Sequence, residues 1–392
     1  MRDDVKLLGT FDAESFLRDY WQKKPLLIRQ ALPAFESPID ADELAGLACE
    51  DNVESRLIEK RGDSYSVESG PFTEKRFTKL PKQEWTLLVQ DVEKHLPDFA
   101  QYLDLFDFIP RWRIDDLMIS VAAEGGGVGP HVDAYDVFLL QAKGRRRWRI
   151  AERFNPEIIP EMDLRVLKHF DAEQEWILEP GDMLYLPPNV AHDGVALDDD
   201  CMTWSIGFRA PSLRDMFSDF SEWLYQRLPE EKMYTDPDLA FAEARDGSIS
   251  SSARTRMRDI LRTAISVDDA VLDRWFGQFI TEPKPWLQCE PPAATPEFEA
   301  FATRFRDGDA LLRDSRALLA WSPADDGVLF FENGEARKMS RGMEDLLECV
   351  CTKRRIEFAG PQSMNDDAIE LLRELHSAGV LHFASDVETE ND

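Results

Sequence analysis

Between residues 111 and 210 the chain runs through short apolar stretches, RIDDLMISVAA, DVFLLQA, RRRWRI, EWILEP, DMLYLPP and MTWSIGFRA, separated by Gly, Pro and Asp. Short β-rich runs with such punctuation predict strands that close into a barrel or a double-sheet jelly roll. Upstream, FDAESFLRDYW has apolar residues at helical spacing behind Asp12 as N-cap, KKPLLIRQ predicts a strand after Pro25, and EWTLLVQDVEKHL predicts an amphipathic helix. The strands stop after Arg209-Ala210-Pro211. Residues 212–280 show helical patterns, LRDMFSDFSEWLYQRL and DAVLDRWFGQFI, with an irregular acidic and Ser-rich stretch, EARDGSISSSAR, between them. A Pro-rich hinge, EPKPWLQCEPPAATP, leads to a last module. There VLFFENGEARKM predicts a hairpin on its Asn333-Gly334 turn, and DDAIELLRELHSAGVLHF a helix running into a strand, a combination compatible with a winged helix. The final ETEND reads as disordered.

At 392 residues the chain exceeds the ~100–200 usual for one domain. The pattern predicts an α+β protein with a jelly-roll domain over 1–210, a helical region over 211–280 and a winged-helix-like domain over 281–392. Aromatic side chains are dense in the helical region, which marks it as a partner surface, expected to form a homodimer. The formal net charge of −30 repels phosphate backbones and anionic lipids and favours a basic partner. From residue 281 onward 12 basic residues face 23 acidic ones, so the winged helix is expected to contact protein rather than nucleic acid. Five cysteines without metal-finger pairing, no apolar leader and no run near the ~20 apolar residues of a membrane span predict a soluble cytoplasmic protein.

Six histidines among 76 acidic residues should give roughly one His-x-Asp/Glu triplet by chance, and the chain has two. His169-Phe170-Asp171 lies in a polar stretch without strand alternation, where a solvated histidine is expected. His131-Val132-Asp133 follows a glycine turn in GGGVGPHVDAYDVFLL and leads onto a strand, so both side chains point to one face. Sixty-one residues on, LEPGDMLYLPPNVAHDG predicts a turn at Gly181-Asp182, a strand over 183–186 and a rigid Pro187-Pro188 bend presenting His192 from a neighbouring strand. Two histidines and a carboxylate form the facial triad that holds Fe(II) and leaves positions open. A structural zinc site would need a fourth protein ligand, and no cysteine is near in sequence.

These segments, with WQKKPLLIRQAL, SRLIEK followed by GPF, WRIDDLMIS, GRRRWRI and GFRAPSLRD, resemble the JmjC branch of the 2-oxoglutarate oxygenases. Within that branch they resemble the bacterial ribosomal oxygenases that hydroxylate an arginine of a large-subunit ribosomal protein. The resemblance implies a double-stranded β-helix of the cupin type, a helical dimerisation region and a winged-helix-like end. It further implies Fe(II) held by His131, Asp133 and His192, with 2-oxoglutarate as co-substrate. Independently, period two in Arg145-Arg146-Arg147-Trp148-Arg149-Ile150 puts Arg146 on the inward side with Trp148 and Ile150, leaving Arg145, Arg147 and Arg149 as a solvated face. An inward Arg needs an anion, and the fork suits the distal carboxylate of 2-oxoglutarate. Asp116, Met118 and Ser120 share one strand face. Ser120 is expected at the 2-oxoglutarate carboxylate, and Asp116 and Met118 at a guanidinium and its stem.

GGGVG lacks the Lys-Ser/Thr pair and following helix of a phosphate loop, so it is a turn. The rival functions are histidine hydroxylation or lysine demethylation on the same triad, a non-catalytic acidic cupin-like adaptor for basic proteins, and an acidic winged-helix regulator.

Overall fold

A computed structural model describes residues 7–390 apart from 63, 232, 238, 240–247 and 361–363. Two compact units emerge, one of Met1–Ala210, Lys284–Ala317 and Cys349–Asp392, the other of Pro211–Pro283 and Leu318–Glu348. The strands are β1 (Leu26–Ile28), β2 (Ser55–Arg61), β3 (Ser64–Ser69), β4 (Trp85–Val89), β5 (Ile114–Ala122), β6 (His131–Val132), β7 (Asp136–Lys143), β8 (Arg146–Ala151) and β9 (Gln174–Leu178). There follow β10 (Met183–Leu186), β11 (Ala191–Ala196), β12 (Cys201–Phe208), β13 (Leu311–Arg313), β14 (Leu319–Ala324), β15 (Gly327–Glu332), β16 (Glu335–Met339), β17 (Arg355–Ile356) and β18 (Leu381–Phe383).

In the first unit the strands pair antiparallel into an eight-stranded sheet, β1-β10-β7-β12-β5-β4-β2-β3, and a four-stranded sheet, β6-β11-β8-β9. This is the double-stranded β-helix expected of the middle segment. Alternation gives the large sheet two different buried faces. Leu117, Ile119 and Val121 of β5, Phe138 and Leu140 of β7, and Trp204 and Ile206 of β12 join one large core. Asp116, Met118, Ser120, Thr203 and Ser205 point the other way and line a cavity.

The large core is closed from outside by the helix Ala13–Asp19, whose N-cap Asp12 accepts from the Ser15 N–H at 2.7 Å. Its Phe16 is fully buried and packs edge-on against Tyr185. Next in the chain, β1 pairs with β10, covering that edge of the sheet.

EWTLLVQDVEKHL is not the expected helix. Trp85–Val89 forms β4 between β2 and β5, and only Val92–His95 is helical, after a left-handed turn at Asp91 with φ 55°. Thr86, Leu87, Leu88 and Val89 are all buried, and a short run buried on both faces carries no period that separates strand from helix. Its ladder partners decide the matter.

At the C-terminal end of this unit, β17-β13-β18 forms a small sheet. The helices Phe298–Arg306 and Asp366–Ser377 accompany it, with Phe301, Phe305 and Phe383 fully buried. The tail also differs from expectation, since Ala384–Glu390 is helical and residues 391 and 392 lie outside the described set. Arg304 fastens it through Asp386 at 2.6 Å, a contact that local composition does not reveal.

The second unit contains the helices Leu213–Tyr225, Ser251–Ile265 and Asp269–Ile280 and the sheet β14-β15-β16. Ser212 and Asp215 make a reciprocal capping box, and Trp275 Nε1 donates to Asp219 at 2.7 Å. Of the stretch expected to be irregular, residues 243–247 lie outside the described set, while Ser250 caps the helix from Ser251 onward. A serine run is a helix start as readily as a loop, because its hydroxyl satisfies a first-turn N–H. The hairpin turn is confirmed, with positive φ at Asn333 (49°) and Gly334 (86°) as a tight two-residue hairpin requires.

Phe138 lies on the core face of β7 against Phe106, Tyr185 and Phe208. Phe138→Ala should lower unfolding stability by about 3–5 kcal/mol in guanidinium denaturation; a loss under about 1 kcal/mol would show that this core is not close-packed.

Candidate active site

β6 and β11 are antiparallel neighbours with His131 directly opposite His192. The rings sit 4.2 Å apart, centroid to centroid. Asp133 follows two residues after His131 and turns its carboxylate between them, Oδ1 at 3.8 Å from His131 Nε2 and Oδ2 at 3.5 Å from His192 Nε2. The possible ligand atoms of all three lie within 4.8 Å of one another, and among the described residues no fourth His, Cys, Asp or Glu joins them.

Each imidazole is oriented by its own strand. His131 Nδ1 faces the Gly129 carbonyl at 2.9 Å, and His192 Nδ1 the Val190 carbonyl at 3.0 Å. With Nδ1–H donating to those carbonyls, each Nε2 keeps its lone pair for a metal. Gly129 delivers its carbonyl from a left-handed turn, φ 78°, that a residue with a side chain adopts only under strain. Burial, then the neighbouring His131, hold the His192 pKa down to about 4 against the pull of Asp133. The imidazole is therefore neutral at physiological pH, the form that binds a metal.

The triad opens into a cavity of about 350 Å³ between the two sheets. Arg146 enters it from β8 and is 4% exposed. Its Nη1 donates to the Gly194 carbonyl at 3.2 Å, whereas Nε and Nη2 are buried without a partner among the described residues. Two orphaned guanidinium donors inside a closed barrel call for a carboxylate, since an unpaired buried charge is costly. Ser120 stands on the opposite sheet, its hydroxyl donating to the Thr203 carbonyl at 3.3 Å. A metal held by the triad and a 2-oxoglutarate whose distal carboxylate meets Arg146 fit this donor set.

Further along β5, Met118 and Asp116 line the same cavity. Burial, then the negative charges of Glu93 and Asp115, push the Asp116 pKa up to about 7. Behind it, Lys94 is clasped by Asp91 and donates to the Asp115 carbonyl at 2.9 Å, and Lys284 reaches Asp91 at 2.5 Å.

The structure thus brings together His131, Asp133, His192, Arg146, Ser120, Met118 and Asp116 around one cavity, and leaves His169 exposed. The basic face of β8 needs correcting. Arg149 is not simply solvated but pairs with buried Asp193 at 2.5 Å, because β8 and β11 put those two residues opposite each other. Sequence reasoning missed Arg56, Thr86, Gln90 and Tyr135, which also line the cavity. Arg56 stands on β2, Thr86 on β4 and Gln90 just past the end of β4, and the helical expectation for the β4 segment concealed the wall that they form. Tyr135, two residues after Asp133, was there to be found.

A JmjC domain model matches residues 101–216, and a ROXA-like winged-helix model residues 261–382. The chain is 37% identical over 305 residues to the Escherichia coli ribosomal protein uL16 3-hydroxylase, covering 78% of this chain and 80% of the relative. It is also 37% identical over 278 residues to a probable ribosomal oxygenase of Haemophilus influenzae, covering 68% and 67%. Among solved structures it resembles the E. coli ribosomal oxygenase YcfD in complex with cobalt and 2-oxoglutarate, with TM-score 0.80 and 32% identity over 96% of this chain and 99% of that one.

The geometry predicts that Asp133→Ala, which removes one of three donors, weakens Co(II) binding by more than the about 10–100-fold that follows loss of a ligand's hydrogen-bonding partner. Isothermal titration calorimetry measures this, and a variant with wild-type affinity would remove the site from consideration.

Proposed function

Since this chain belongs to the JmjC ribosomal oxygenases, which use Fe(II) and 2-oxoglutarate, we propose that it hydroxylates an arginine side chain of a basic large-subunit ribosomal protein. The observation that carries the proposal is the shared cavity: a facial triad at one end, a buried Arg146 with two unpartnered donors, and a buried carboxyl on Asp116.

Iron with 2-oxoglutarate and O₂ supplies the oxidising power, 2-oxoglutarate being converted to succinate and CO₂. The side chains supply placement. His131, Asp133 and His192 hold the metal from one side and leave the other open to the cavity. Arg146 takes the distal carboxylate of 2-oxoglutarate, with Ser120 beside it. Asp116 accepts the substrate guanidinium and Met118 packs along its aliphatic stem, which points one C–H bond at the metal. Placement within about 0.5 Å decides which bond reacts, so the rigid strands carrying these groups are part of the chemistry.

The net charge of −30 supports a basic protein partner, by steering it toward the cavity, and counts against direct nucleic-acid binding. The E. coli relative is named for uL16, and the same protein is our proposed substrate. We extend the proposal to a homodimer through residues 211–280. On the helices Leu213–Tyr225 and Ser251–Ile265, Leu213, Phe217, Tyr225, Leu261 and Ile265 are 56–78% exposed, more apolar surface than solvent favours. Among the described residues no helix is long and apolar enough to cross a membrane, and the proposed ribosomal substrate supports a cytoplasmic location.

Incubated with Fe(II), 2-oxoglutarate and uL16, the protein should add the mass of one oxygen to one arginine and release succinate. His131→Ala should abolish both. Tandem mass spectrometry that locates the oxygen on histidine, or finds loss of a lysine methyl group instead, would move the activity to another JmjC class, and no turnover at all would leave an adaptor. Arg146→Met should raise the KM for 2-oxoglutarate by about tenfold or more, the worth of a charge-assisted pair. Below pH about 7 Asp116 is protonated and loses its attraction for a guanidinium, so kcat/KM for uL16 should rise as pH increases through that value. An Asp116→Asn variant should lack that rise; its persistence would place the titrating group elsewhere.

A further inference from the structure

Beyond Ser120 the cavity wall continues across two more strands, where it carries a second cation that neither the metal nor 2-oxoglutarate explains. Leu88 of β4 stands opposite Ser120, and Arg56 of β2 stands opposite Leu88. Thr86 and Gln90 flank Leu88 on the same face, and with Arg56 they line the cavity. Arg56 Nε and Thr86 Oγ1 are both buried with no hydrogen-bond partner among the described residues. Among the described residues Arg56 has no ion pair.

We propose that Arg56, with Thr86 beside it, clamps the main chain of the bound substrate polypeptide by donating hydrogen bonds to carbonyl oxygens next to the arginine that is modified. This rests on the substrate proposed above. A guanidinium is a donor only, so its partner must be an acceptor. The distal carboxylate of 2-oxoglutarate is already matched by the free nitrogens of Arg146, which enters from the other sheet. Across the ladder Arg56 stands in line with Leu88 and Ser120, on the same large sheet that carries Asp116 and Met118. A basic polypeptide offers few carboxylates but a carbonyl at every residue, so main-chain oxygens are the acceptors at hand. The same positive charge repels the substrate guanidinium and keeps it on the side of Asp116.

The test is steady-state kinetics of the full-length protein with Fe(II), 2-oxoglutarate and intact uL16. Arg56→Met should raise the KM for uL16 by about tenfold or more while the KM for 2-oxoglutarate keeps its wild-type value. Arg56→Lys, which keeps a charge but not the fork, should fall between the two. A rise confined to 2-oxoglutarate, or no rise for either, overturns the inference. Should Arg56→Met lose the wild-type melting temperature, Arg56→Lys decides alone: an intermediate KM for uL16 supports the clamp and a wild-type value overturns it. Failure of the wild type to hydroxylate uL16 would instead sink the functional proposal and the clamp together, whereas an active wild type with unaltered variants sinks only the clamp.

Discussion

One cross-strand pair sets the terms for everything else. His131 and His192 face each other across β6 and β11, their Nδ1 atoms tied to the carbonyls of Gly129 and Val190, so both Nε2 lone pairs converge beside Asp133. A slip of one residue in that register would send either imidazole to the far side of the sheet. Hence the small sheet must be pinned. β8 does this from the other side of β11, by a ladder that runs from Ala191 opposite Ala151 to Ala196 opposite Arg146. The ladder that fixes the proposed metal ligands also fixes Arg146, the proposed carboxylate anchor.

Holding Arg146 and Asp116 buried in one cavity, with Arg56 part-buried in its wall, is unfavourable without ligands, because each is a polar or charged group withdrawn from water with few protein partners. The opposing face of the large sheet offsets this. Phe16, Phe138, Tyr185, Trp204 and Phe208 are fully buried there, in edge-on and tilted contacts. The sheet thus has a well-packed aromatic side and an underfilled polar side, and the first keeps the second in shape.

Behind Asp116 the electrostatics run the same way as on the surface. Asp91 and Glu93 are buried with Lys94, Lys284 joins from a distant segment and Arg209 pairs with the part-exposed Asp115, so with Asp116 four carboxyl groups meet three cations. An excess of negative charge in that interior favours an incoming cation, as the net charge of −30 does at long range. Attraction begins at the surface and ends on one carboxyl group.

The strands that carry chemistry were legible because alternation of period two is a local property: it places His131 with Asp133, Arg146 with Trp148, and Asp116 with Met118 and Ser120, whatever the rest of the chain does. The Asn333-Gly334 turn and the Asp12 cap were legible for the same reason. Segments whose state depends on distant partners were not. Trp85–Val89 became a strand because β2 and β5 flank it, and the tail became helical where Arg304 holds Asp386. Arg149 met Asp193, and Arg56 entered the cavity, only once strands far apart in sequence were paired. Residue types and their alternation along each strand were therefore decided by the sequence alone, while which strands lie side by side, and so which buried charges find partners and which stay free for a ligand, was decided by tertiary structure, since desolvation and pairing act on neighbours in space.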